Sequence, residues 1–412
     1  MIKISGEICA KCKGYKRLCG LRECPLLLRY RALYETSVRI SSRDVEGYTP
    51  PSGVVSEANY PTVSLIYSLP PEEDLSKAKI YDDPASWWGR YSLDEIIKIR
   101  SSMISGILKI NVNRPEYLLE KEISLALVSE NPVSSEIKLR SLPKLRLKID
   151  PFDAPRGLGA EAESIRVTQN PSISNPLEKV IYDELKASEA VVFLYKSGVD
   201  IYKIQRAFSL GLLGKYNRKL VPTRWSITAV DTIISMSLLK EIRDYPEVQT
   251  GSLYRVEYLG NRFWVALLPG EYSFNWIEIW HPRTIYTSNI SKPVVIENSE
   301  SWRGEASYMD GGYQAARLGV LEYLSKIRRK ASVLVVREIT PQYYAPVGNW
   351  HIRESMRRIF DQKSVYIDSV ENALEILRED LSYLDTELLT SVKKTDLYRD
   401  KIHRKLDSYF KR

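Results

Sequence analysis

The sequence predicts an α+β fold, and three patterns carry that expectation. Helical periodicity with capping signals runs from residue 92 to 243, period-two aromatic runs fill 253 to 282, and all four cysteines lie within the first 24 residues. A chain of 412 residues, 44% of them hydrophobic, is long enough for two or three separate cores. The expected parts are a small cysteine knuckle with its following helix over 1–36, and a mixed helix and strand region over 37–250 carrying a helix-turn-helix-like hairpin. A C-terminal α+β region over 251–400 follows, an antiparallel aromatic-rich sheet with C-terminal helices, and a short tail occupies 401–412.

The elements follow in order. Pro25 stands at a first helical position and opens a helix over 25–36, because its fixed φ and missing N–H cost nothing there. The stretch from Ser41 to Pro84 is punctuated by proline and glycine and reads as mostly loop, with one strand-like run from Thr62 to Tyr67. Ser92 followed by Glu95 has capping-box spacing and opens a helix to about Met103. A strand is expected over Ile107–Asn111, and Pro115 opens a helix to about Ser129. KLRLKIDPF, starting at Lys144, alternates apolar and basic residues as a strand with one cationic face would. Helices are expected over 176–187, 189–197, 200–212 and 226–243. The runs LYRVEYLG, RFWVALLPG and YSFNWIEIWHP then read as an antiparallel meander. A helix over 313–329, a continuous apolar strand over 332–339 and charged helices from about 349 to 398 complete the body.

Sixty Lys and Arg against 52 Asp and Glu leave a net charge of +8, a surplus compatible with a polyanionic partner but no proof of one. Charged residues at 27%, with only four Cys and three His, fit a thermophile's avoidance of labile side chains. The N-terminus has no signal-peptide run and no stretch approaches the length of a membrane helix, so a cytoplasmic protein without a membrane partner is expected.

Cys9, Cys12, Cys19 and Cys24 supply four soft ligands, and the CxxC pair lets two thiolates bind one ion from a tight turn. Zn2+ in a tetrahedral, closed site is the expected occupant. An iron–sulfur cluster also takes four thiolates, but the spacing matches neither common ferredoxin pattern. In the last twelve residues, His403, Leu406, Tyr409 and Phe410 stand where one tight turn gathers the last three into an apolar plug, the arrangement of peptides that dock on a sliding clamp. The usual first residue of such a peptide is Gln, and an amphipathic helix end shares the spacing.

The run SEAVVFLYKSGVDIYKIQRAFSLG, with Asp200 as an N-cap, suits a helix-turn-helix, as it suits any hairpin packed in a core. Beyond it Lys215, Arg218, Lys219 and Arg224 form a basic patch interleaved with Tyr216 and Trp225, which reads as a nucleic-acid contact surface or as a solvated face. Asp310-Gly311-Gly312 precedes a helix and reads as an anion site with Arg317 near by. Asp153, Asp231, Glu305 and Asp310 are candidates for a magnesium site or for ordinary salt bridges. The three histidines, His281, His351 and His403, form no metal-ligand spacing.

Taken together, the CAKC…LCGLRECPL knuckle, FDAPRGLGA at 152–160, the blocks at 198–231, 308–324 and 335–354, and the tail peptide resemble the archaeal Nre family of DNA repair proteins across nearly the whole chain. The resemblance implies an N-terminal and a C-terminal region, a front zinc element, binding to the sliding clamp (PCNA), and participation in repair of damaged DNA. It supplies no catalytic residue. The expected function is a DNA repair factor that binds DNA and is recruited by the clamp, with a nucleic-acid-processing enzyme such as a metal-dependent nuclease as the alternative.

Overall fold

The computed structural model describes residues 12, 16–18, 24–50, 53–71, 74–144, 156–284, 287, 291–301 and 310–381. The chain is α+β and divides into two compact units, one over 26–150 and 154–234, the other drawn mainly from 235–412.

The first unit opens with α1 (Pro25–Arg39) and is built on a mixed sheet of β1 (Asp44–Thr49), β2 (Gly53–Val55), β3 (Thr62–Leu69), β4 (Ile104–Asn111), β5 (Val133–Leu139) and β6 (Leu158–Val167). The strand order is β1-β5-β6-β4-β3-β2, with β4 and β6 parallel and every other pair antiparallel. The segment expected to be mostly loop thus holds three strands. β1 is polar and lies at an edge, where a strand has one neighbour and little apolar patterning to betray it. β3 alternates strictly, burying Val63, Leu65, Tyr67 and Leu69. A Cβ on Gly157, in the turn before β6, would stand 1.7 Å from the Met103 carbonyl oxygen, so only glycine lets β6 approach β4 there.

Helices of this unit follow their capping signals. In α2 (Leu93–Ser101) both halves of the capping box form: Ser92 N–H donates to Glu95 Oε2 at 2.7 Å, and Glu95 N–H donates to Ser92 Oγ at 3.4 Å. The single helix expected after Pro115 is two, α3 (Pro115–Glu120) and α4 (Ile123–Val128), because Glu122 takes a left-handed φ of 57° that turns the apolar face of α4 into the core. Then come α5 (Asn175–Tyr182), α6 (Ala187–Lys196), α7 (Ile201–Ser209) and α8 (Thr223–Ile242), the last running across the unit boundary. KLRLKIDPF lies, from Leu145 on, outside the described residues.

The second unit is a six-stranded sheet of β7 (Gly251–Tyr258), β8 (Asn261–Leu268), β9 (Ser273–Trp280), β10 (Val294–Ser301), β11 (Ser332–Ile339) and β12 (Val365–Ile367). With α9 (Gly311–Ile327), α10 (Trp350–Ile359) and α11 (Val370–Asp380) it forms two layers of helix around one layer of strand. The order is β10-β9-β11-β8-β7-β12. The expected meander holds for β7 and β8, but β11 inserts between β8 and β9, antiparallel to the first and parallel to the second. The apolar run of β11 explains this, since a strand buried on both faces belongs in the middle of a sheet. One face packs Trp264, Ala266, Ile277, Ile279, Leu334 and Val336 against α11. The opposite face carries Phe274, Glu278 and Arg337 towards α9 and α10.

Candidate functional site

Two charged side chains stand on that second face. Glu278 on β9 and Arg337 on β11 are direct register partners, so the parallel pairing itself sets them side by side. Arg337 Nη1 donates to Glu278 Oε1 at 2.6 Å, and its Nε and Nη2 donate to Asn261 Oδ1 at 2.9 and 2.6 Å. The guanidinium lies 5.4 Å from the Trp280 ring centroid and 5.7 Å from that of Phe263, a cation–π setting on a desolvated charge. Trp280 Nε1 donates to Glu278 Oε2 at 3.3 Å, so both carboxylate oxygens have donors. Burial raises the Glu278 carboxyl above its ordinary range, and Arg337 opposes that rise.

Asp310 adds to the rise. It caps α9, accepting the Tyr313 N–H at 2.7 Å. A Cβ on Gly312 would stand 3.3 Å from Asp310 Oδ1 and 3.8 Å from Glu278 Oε1, which places the two carboxylates around one glycine. The helix start expected to hold an external anion is therefore served by the chain's own carboxylate. Arg317, expected beside that turn, points elsewhere: it is fully buried and donates through Nε to Glu300 Oε1 at 2.6 Å, with the Tyr272 hydroxyl donating to the same oxygen at 2.8 Å.

His351 on α10 closes the cluster. A carbonyl only accepts and a guanidinium only donates, so Nδ1 donates to Gly348 O at 2.7 Å and Nε2 accepts from Arg337 Nη2 at 3.2 Å. Burial, with Arg337 adding to it, lowers the imidazole to about 3, and it is neutral at ordinary pH. On the other face of β11, Glu338 joins Arg262 at 3.2 Å and His281 at 2.8 Å. These networks hold charges in fixed places, and among the described residues no three of His, Cys, Asp and Glu gather as metal donors. Asp231, in the first unit, accepts from Gln205 Nε2 at 2.8 Å, while Asp153 and Glu305 lie outside the described residues.

The archaeal Nre N-terminal family matches residues 18–287, and the archaeal Nre C-terminal family matches 298–409. The chain belongs to the archaeal Nre family. Among its relatives, DNA repair protein NreA of Archaeoglobus fulgidus is 39% identical over 89% of this chain and 92% of that one. DNA repair protein NreB of the same organism is 35% identical over 90% and 92%, and NreA of Haloferax volcanii 32% over 82% and 84%. No solved structure matches the chain.

In this Nre family member the residues singled out by sequence fare differently. Cys12 is buried and Cys24 half-buried, whereas Cys9 and Cys19 lie outside the described residues, as do His403, Leu406, Tyr409 and Phe410. The α6–α7 hairpin exists, with Asp200 capping α7, but α7 buries seven of its nine residues. Its polar side chains are spent inside the unit, Lys203 on Glu130, Gln205 on Asp231 and Arg206 on Asp82, so it offers no free recognition face. Lys215 and Lys219 are exposed. Arg218 donates to the Ile181 carbonyl, and Arg224 pairs with Glu57 at 2.8 Å. No helix among the described residues is long and apolar enough to cross a membrane.

Proposed function

We propose that the chain is a DNA repair factor that contacts DNA and is brought to it by a sliding clamp. One observation carries the repair role: identity of 39% with a DNA repair protein over about nine-tenths of both chains. The contact with DNA rests on phosphate neutralisation by the exposed Lys215 and Lys219 and by Arg224, whose ion pair with Glu57 is an exposed one, with Arg218 contributing less because it is engaged with the Ile181 carbonyl. Clamp recruitment rests on His403, Leu406, Tyr409 and Phe410, which a single turn would set as one apolar plug with a polar residue ahead of it. Deleting 402–412 is expected to abolish binding to the sliding clamp in calorimetry while leaving the melting temperature unchanged. Equal affinity of the truncated and full chains would overturn the docking assignment.

The cysteine donor set fits zinc. Four thiolates satisfy a closed tetrahedral site, and of the four Cys12 is buried and Cys24 half-buried. Cys9, Cys12, Cys19 and Cys24 would hold the ion, which would supply local folding energy and leave no position for a reacting water. Elemental analysis of the full chain is expected to return one zinc per molecule, and a zinc-free protein or an iron absorption band would reject the assignment.

A further inference from the structure

The first unit displays two large aromatic rings side by side on its surface. Tyr60, at the tip between β2 and β3, is 52% exposed, and Trp225, in the first turn of α8, is 49% exposed. Their ring centroids are 5.6 Å apart with planes tilted by 39°. The Trp225 ring and the hairpin that carries Tyr60 are both tied in place. Thr223 Oγ1 accepts the Val55 N–H at 2.8 Å, tying the hairpin to the start of α8. Glu57 on the same hairpin then uses one oxygen for Arg224 at 2.8 Å and the other for the Trp225 indole N–H at 3.2 Å. The indole's one donor is thereby satisfied, and what remains exposed is ring surface.

Two half-exposed aromatic rings in contact, one of them fixed through its indole N–H, are costly to leave in water and pre-organised for a flat, apolar ligand. The charges beside Trp225 and earlier in the same stretch of chain select which one. Arg224 is adjacent to Trp225 in the chain, and its pair with Glu57 is exposed, 58% and 42% for the two side chains. An exposed ion pair contributes little, so a phosphate can take over the guanidinium at small cost. The chain leading into α8 also exposes Lys215, Tyr216 and Lys219. Protein interfaces are depleted in lysine, whereas aromatic faces interleaved with cations are what unpaired bases and their phosphates require.

We infer that Tyr60 and Trp225 form a stacking platform for an unpaired base of single-stranded DNA, with Arg224 on the neighbouring phosphate. The inference rests on the reading that the chain contacts DNA, and it names where a single strand is held. It assigns the platform to strands whose bases are out of the duplex, since paired bases have no free face.

The test is fluorescence anisotropy of the full chain with a labelled oligothymidylate and with an abasic strand of the same length. Trp225→Ala and Tyr60→Ala are each expected to weaken binding of the oligothymidylate about tenfold and to leave the abasic strand unchanged, the scale of one lost base stack. Trp225→Phe keeps a ring while losing the contact to Glu57, and is expected to bind near the level of the natural chain, which separates stacking from a local structural defect. If the alanine variants bind the oligothymidylate as the natural chain does, the platform is wrong while DNA contact stands. If both strands lose affinity equally, the rings do not stack on bases. If the natural chain binds neither strand, the DNA-contact reading falls together with the platform.

Discussion

His351 is held neutral by two commitments made at once, a carbonyl that fixes its proton on Nδ1 and an arginine that requires a lone pair on Nε2. Protonating it in the folded chain would set a second positive charge against Arg337 in a buried place, which is why its pKa falls to about 3. The consequence for stability has a definite sign. A group whose folded pKa is depressed contributes stability that is present above its unfolded pKa and lost as pH falls toward the folded value. For His351 the window opens near the ordinary imidazole value of 6.5 and runs down to about 3. Each pH unit inside it removes about 1.4 kcal/mol, so the advantage of the natural chain over His351→Gln in urea unfolding is expected to shrink by about 2 kcal/mol between pH 7 and pH 5. A difference that stays constant with pH would mean that His351 takes its proton in the folded state. Glu278, raised by the same burial, titrates in both proteins and drops out of the comparison to first order. The sequence displays Glu278 and Arg337 as oddities, one carboxylate inside YSFNWIEIW and one guanidinium inside SVLVVREI. It does not display them as partners, because that depends on a strand placement that neither run encodes.

Elements were legible wherever a local rule decided them and obscure wherever a neighbour did. The helix after Ser92 is written in its two capping residues, and those after Asp200 and Asp310 in a single side-chain cap each. By contrast β1 is a polar edge strand recognised only by its pairing with β5, and β12 is three residues long and held by β7. The break at Glu122 is likewise tertiary, a left-handed residue tolerated because it lets Ile123, Ala126 and Leu127 reach the core. The hairpin at α6–α7 shows the same limit for function. Its spacing matches a DNA-reading motif, yet burial of Ile201, Ile204 and Ala207 turns α7 inward, and periodicity alone cannot say whether the second face of a helix meets water or protein. Close packing of α9 on α10 also has one readable cause. A Cβ on Gly319 would stand 2.5 Å from Met356 Cβ, and the missing side chain lets the two helices meet.

At the scale of the whole molecule, the family's two matched regions and the chain's two compact units divide the sequence at different places. The N-terminal family region ends at residue 287, whereas the main segment of the second unit begins at Ser235. β7, β8 and β9 therefore belong to the first matched region, and β11 and β12 with the last half of β10 to the second, within a single sheet. The central strand is the one that joins them: β11 pairs with β8 on one side and β9 on the other over eight residues each. A fragment beginning at residue 298 would keep β11 and strip both its neighbours. It would expose the edges of a strand that is apolar on both faces, together with an unpaired Arg337 whose carboxylate partner Glu278 is gone. Such a fragment is expected to be unfolded or aggregated. A fragment over 235–412 keeps the whole sheet, and circular dichroism is expected to show a cooperative thermal transition for it alone. Cooperative melting of 298–412 by itself would mean that the second matched region carries its own core, and the sheet would then be an assembly of two independent pieces rather than one folding unit.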